Sequence, residues 1–131
     1  MLVRYLLIAT LCLAYTGTAV AQAPLAAPAV VKTATTGSSS ILTGTNGMTL
    51  YTEDTDTPGK SVCNGPCAAN WPPLAATADA KPIGAFTIIT RDDGTLQWAY
   101  KGKPLYFWKN DKQPGDTTGD GVAGRWHTAQ P

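Results

Sequence analysis

The sequence is poor in the residues from which most active sites are built. It holds one histidine, His127, and three cysteines in 131 residues. Ser38, Ser39, Ser40 and Ser61 lie in no nucleophile motif. Nucleophilic catalysis needs an adjacent base, so neither hydrolase chemistry nor any other catalytic constellation is expected. There is no C-x-x-C, and Cys67 is followed by Ala68 rather than His, which argues against a thioredoxin-type dithiol and a c-type haem. The longest apolar run, residues 6–15, is shorter than the roughly 20 residues a membrane span takes. A charge surplus is missing too, with Lys+Arg 10 against Asp+Glu 9. A near-neutral chain has no electrostatic reason to seek nucleic acid or anionic membrane. Lys101, Lys103, Lys109 and Lys112 form a local basic cluster, read here as the solvated edge of a hairpin.

What is present begins with a leader. Arg4 supplies a positive start, the apolar run follows, and Ala19-Val20-Ala21 is a small-residue cleavage site. A signal peptide over residues 1–21 is expected, with a periplasmic or secreted mature chain. Residues 22–40, rich in Ala, Pro, Ser and Thr and free of aromatics, are expected to be a flexible tether. One small β-rich domain is then expected over residues 41–131.

That domain contains a repeat. Residues 47–71 open Gly47-Met48-Thr49-Leu50-Tyr51 and close on Trp71; residues 102–126 open Gly102-Lys103-Pro104-Leu105-Tyr106 and close on Trp126. Asp56 and Asp111 follow the tyrosines at equal spacing, and Pro58-Gly59 and Pro114-Gly115 come soon after. Two units of about 47–74 and 102–126 are expected, each burying its face against the other. Between them, Ala85–Arg91, Thr95–Tyr100 and Leu105–Trp108 alternate or run β-branched and are separated by tight turns, an antiparallel meander. Asn46-Gly47 marks a further hairpin. The fold class is therefore mainly β, a small antiparallel meander or sandwich with long irregular loops at 53–82 and 109–131.

Cys12 falls in the leader, which leaves Cys63 and Cys67 in an oxidising compartment. The intervening Asn64-Gly65-Pro66 permits a tight reversal, so a Cys63–Cys67 disulfide is expected. The alternative is a metal or redox site using Cys63, Cys67 and His127. Asp116-Thr117-Thr118-Gly119-Asp120-Gly121 resembles the opening of a calcium loop, but its twelfth position is His127 instead of Glu. The metal candidates are thus Asp116, Asp120, Asp111, Asp56 and His127, for calcium or a transition metal, against a simpler role in Asx turns. Tyr51, Tyr106, Trp108, Trp71 and Trp126 are either core or a face for a cofactor or other ligand. Alternation sends Tyr106 and Trp108 to one face and Phe107 to the other.

Cys63-Asn-Gly-Pro-Cys67, Trp71-Pro-Pro-Leu74, Gly102-Lys-Pro-Leu-Tyr106 and Pro114-Gly-Asp116 together resemble the bacterial "secreted repeat of unknown function" family, predicted lipoproteins with a Y-x-[FWY]-x-x-D motif. Tyr106-Phe107-Trp108-Lys109-Asn110-Asp111 satisfies that motif; in Tyr51-Thr52-Glu53-Asp54-Thr55-Asp56 a glutamate replaces the aromatic. The resemblance implies export and a repeated β-rich unit, and it brings no activity. Cys12 follows Ala9-Thr10-Leu11, a poor lipobox, so no lipid anchor is expected. The functional expectation is a non-enzymatic binding or interaction module of the cell envelope, with a small molecule or envelope protein as partner.

Overall fold

The structure, a computed structural model, describes residues 12–14, 16–18 and 23–131. The expected cleavage site Ala19-Val20-Ala21 and the positive start at Arg4 lie outside the described residues. Among the described residues, seven short strands follow in order: β1 (Val31–Thr36), β2 (Ser39–Gly44), β3 (Tyr51–Glu53), β4 (Phe86–Thr90), β5 (Leu96–Tyr100), β6 (Lys103–Pro104) and β7 (Trp126–Thr128). One helix, α1 (Pro66–Asn70), lies between β3 and β4, and a 3₁₀ turn (Val122–Gly124) precedes β7.

The protein is mainly β and its paired strands are antiparallel. β4, β5 and β6 form a three-stranded antiparallel meander, whose first two strands lie where the sequence predicts them and whose third begins at Lys103, earlier than expected. Gly94, at φ 83°, allows the β4–β5 reversal. The turn from β5 to β6 has positive φ at both Lys101 (50°) and Gly102 (80°), as a two-residue hairpin of the I′ type requires. Beyond β6 the expected strand at Leu105–Trp108 reduces to single bridges at Tyr106, to Tyr51 and Pro73.

The tether expected over 22–40 is corrected by β1, which pairs with β2 from Val31↔Gly44 to Thr36↔Ser39. Composition accounted for the weak burial of this segment and missed its backbone. Val31, Thr33, Thr35 and Thr36 are β-branched, Gly37 turns at φ 59°, and β2 supplies the hydrogen-bond ladder. Val31 is buried and Ala27 packs on the core behind it.

The repeat is therefore larger than its motif. β1–β2 precede Tyr51 as β4–β5 precede Tyr106, and α1 precedes Trp71 as the 3₁₀ turn precedes Trp126. The two copies interlock. Leu74, at the end of the first unit, donates to Leu105 O and accepts from Trp98 N, so it lies between strands of the second. Ala129, at the end of the second, donates to Leu50 O and accepts from Leu42 N of the first. At the crossing, Tyr51 N donates to Tyr106 O at 2.8 Å and Tyr106 N to Tyr51 O at 3.0 Å. These reciprocal bonds mark a local pseudo-twofold axis.

Two apolar clusters result. Val31, Leu42, Leu50, Leu74, Phe86, Trp98, Tyr100, Leu105 and Ala129 form one, with Phe107 against it. Tyr51, Cys63, Trp71, Tyr106 and Trp126 form the other, with Cys67, Trp108 and Val122 against it. Tyr106 and Trp108 thus face one cluster and Phe107 the other, as strand alternation demands.

Candidate functional site

The five aromatic candidates all belong to the second cluster. Trp71 and Trp126, equivalent in the repeat, stack with centroids 3.7 Å apart and planes 1° from parallel. Trp108 stacks on the other side of Trp71 at 4.0 Å. Each repeat tryptophan also meets the tyrosine of its own unit edge-on, Tyr51 at 5.4 Å and Tyr106 at 5.1 Å. Tyr51, Tyr106, Trp71 and Trp126 are buried, and Trp108 is partly so. Face-to-face and edge-on contacts at these spacings add to the area such large rings bury.

The tyrosine hydroxyls cross the axis. Tyr51 donates to Asp111 Oδ2 and Tyr106 to Asp56 Oδ2, both at 2.6 Å, so each unit's phenol uses the other unit's carboxylate. Burial, and next the bond to the carboxylate, hold both phenols well above their ordinary pKa. Burial likewise raises the carboxyl of Asp56, against the opposing hydrogen bond from Tyr106. Around Tyr106 the network continues through Ser61 Oγ (2.6 Å) to Arg91, whose buried guanidinium also bonds Gln97 Oε1 (2.7 Å) and the carbonyl of Cys63 (2.5 Å). Ser61 accepts from Arg91 at 3.0 Å. Every buried polar side-chain atom described has a partner.

The acidic candidates are separated by the work they do locally. Asp111 also accepts from the amide and hydroxyl of Thr118 (3.0 and 2.6 Å), and Asp56 from Val62 N (2.8 Å). Asp116 accepts from Lys112 N and Gln113 N, and Asp120 from Thr128 N. His127 pairs with exposed Asp54 at 2.7 Å. Among the described residues, no three His, Cys, Asp or Glu side chains converge as a metal site would require. The thiolate site of Cys63, Cys67 and His127 is corrected: the two sulfurs are bonded to each other at 2.05 Å and have no free thiolate to offer.

Among the described residues, a cleft of about 410 Å³ lies between the β5–β6 turn and the end of β7. Tyr100 and Ala129 give it apolar surface, Lys101, Lys103 and His127 basic groups, and Asp120, Thr52 and Gln130 further polar ones. Lys101 Nζ sits 5.0 Å from the centre of the Tyr100 ring. Aligning the copies explains the cleft. Thr52 stands where the second unit has Phe107, and the Phe107 ring reaches Gly44 and the β2 end, close enough that a Cβ on Gly44 would meet it at 2.9 Å. On the cleft side the short Thr52 leaves the corresponding space beside Tyr100 and Lys101 open. Neither Thr52 nor Gln130 was singled out from the sequence, and Lys101 and Lys103 were read only as the solvated edge of a hairpin. The signal was available in the mismatch of Thr52-Glu53 with Phe107-Trp108, which the motif comparison treats as a loss of aromatic character.

A family model described as "secreted repeat of unknown function" matches residues 32–75 and 87–130. The matched segments begin inside β1 and β4, in agreement with the enlarged structural repeat. No curated protein and no solved structure matches the chain.

Proposed function

This chain belongs to the family of secreted repeats of unknown function, and from that premise we propose that it is an exported, non-enzymatic binding module whose ligand is a small organic anion held in the cleft beside Thr52. The observation that carries the reading is the exchange of Phe107 for Thr52 between otherwise equivalent units, which opens space on one side of the pseudo-twofold axis. A volume of about 410 Å³ falls within the roughly 300–1,000 Å³ usual for small-ligand sites. Tyr100 and Ala129 suit a flat apolar body, and the two lysines outnumber Asp120, which is engaged with Thr128 N.

The backbone supports the same reading. Lys101 takes a left-handed conformation that costs an L-residue roughly 1–2 kcal/mol and that Asn or Gly adopts with less strain. The I′ turn requires that conformation, and a lysine there in place of Asn or Gly sets a basic side chain on the rim of the cleft.

Titration of the isotopically labelled chain with a panel of aromatic carboxylates, followed by NMR, tests this. Amide shifts are expected at Lys101, Lys103, His127 and Thr128. Thr52→Phe should fill the cleft and remove them while leaving the rest of the spectrum in place. Carboxylates that perturb no cleft residue, or that perturb Thr52→Phe equally, would sink the proposal.

A further inference from the structure

None of the stacked indoles lines the cleft, and packing alone does not explain all that surrounds them. Trp108, Trp71 and Trp126 form an uninterrupted column with centroid spacings of 4.0 and 3.7 Å. One end, Trp108, is partly exposed, and the interior members each touch a buried tyrosine. Each of those tyrosines points its hydroxyl at a carboxylate oxygen 2.6 Å away, inside the range for direct proton transfer. A buried phenol needs an acceptor, and a neutral carbonyl or hydroxyl would serve; here each phenol has a carboxylate, a base able to take its proton.

We propose that this column is a one-electron relay, which carries oxidising equivalents from the surface at Trp108 to the Tyr51–Asp111 and Tyr106–Asp56 pairs. The oxidant is a diffusible radical or a high-valent metal species. It takes one electron from Trp108 and is reduced by one. Trp71 refills Trp108, and the vacancy passes on to Trp126 or directly to Tyr51. Tyr51 or Tyr106 then gives up one electron to the adjacent indole and its hydroxyl proton to Asp111 Oδ2 or Asp56 Oδ2. The product is a neutral phenoxyl radical beside a protonated carboxyl. A phenol-class reductant resets the site: it returns one electron, the carboxyl proton goes back to the phenoxyl oxygen, and the donor's own proton leaves to water. Losing the proton within an existing hydrogen bond avoids a buried charged phenol radical, whose desolvation would oppose the step.

Flash photolysis of the full chain with a ruthenium tris-bipyridine photo-oxidant and persulfate tests the relay. The expected record is an indole radical that converts to a phenoxyl radical, more slowly in deuterated water. Trp108→Phe, at a partly exposed position, should lose most of the phenoxyl yield while amide NMR shifts remote from the stack stay native. Tyr51→Phe combined with Tyr106→Phe should leave a long-lived indole radical, and Asp56→Asn with Asp111→Asn should slow the conversion and remove its isotope effect. Unchanged phenoxyl yield in folded Trp108→Phe would overturn the proposal. So would a wild-type indole radical that never converts, an outcome that needs no variant. A merely structural stack would shift melting temperatures across these variants and leave the radical sequence as it was.

Discussion

Single residues at the crossing of the two units do their work through contact and charge. Gly119 illustrates the first. Its missing side chain lets the backbone lie against three rings, and a Cβ there would stand 2.8 Å from Trp71, 2.9 Å from Tyr51 and 3.0 Å from Trp108. Rings locked in a stack cannot give way cheaply, so Gly119→Ala should cost about 1–3 kcal/mol in urea unfolding, as other overpacked cores do. Asp56 illustrates the second. Because folding raises its carboxyl pKa above the ordinary 3.8, its contribution to stability is complete below that value and is lost as pH rises through the folded pKa. Asp56→Asn keeps an acceptor for Tyr106 and removes the titration. The variant should therefore lose less stability than the parent across the pH window that opens at the ordinary 3.8 and runs up through the folded pKa. Melting temperatures that fall in parallel for both proteins over that window would refute the assignment. Lys101→Asn should relieve the left-handed strain and raise stability by about 1 kcal/mol, while weakening anion binding in the cleft.

At the scale of elements, the two loops are equivalent in position and differ in how they are tied. In the first unit Cys63–Cys67 closes the turn that leads into α1, and both half-cystines pack on the aromatic cluster. In the second unit the corresponding positions are Thr118 and Val122. Thr118 is tied to Asp111 by two hydrogen bonds, and Val122 packs on the same cluster. A disulfide spanning a sequence separation of 4 closes a very short loop. The chain-entropy relation then gives about 2 kcal/mol for it. Replacing both cysteines by serine should lower stability by about that amount or less and leave the chain folded, since Arg91 still holds the Cys63 carbonyl from the second unit. Chemical denaturation under non-reducing conditions reads the difference; an unfolded double variant would show that the bond is a condition of the fold.

For the whole molecule, interlocking is the decisive property. Leu74 completes the second unit's hydrogen bonding and Ala129 completes the first's, so neither half is self-sufficient. Fragments 23–81 and 82–131 should each be unfolded alone and should regain the native circular dichroism on mixing; a half that folds by itself would contradict this. Much of the design was readable beforehand. Gly, Leu-Tyr, Asp, Pro-Gly and Trp recur at fixed spacing because turns, cores and pinned loops need particular residue types, and those needs are local. The same logic gave the β4–β5 hairpin, the disulfide and the separation of Phe107 from Tyr106 and Trp108. Other features depend on partners distant in sequence. β1 is a strand because β2 lies beside it, not because its own side chains demand burial. The tyrosine of one unit finds the aspartate of the other because the backbones cross at Tyr51 and Tyr106. The cleft exists because one of two equivalent positions carries threonine and the other phenylalanine. The sequence by itself determined the repeated frame and its turns, whose physics acts over a few residues. Only the tertiary structure decided which copy's groups meet across the axis and where space is left, because both follow from how two nearly identical units are laid against each other.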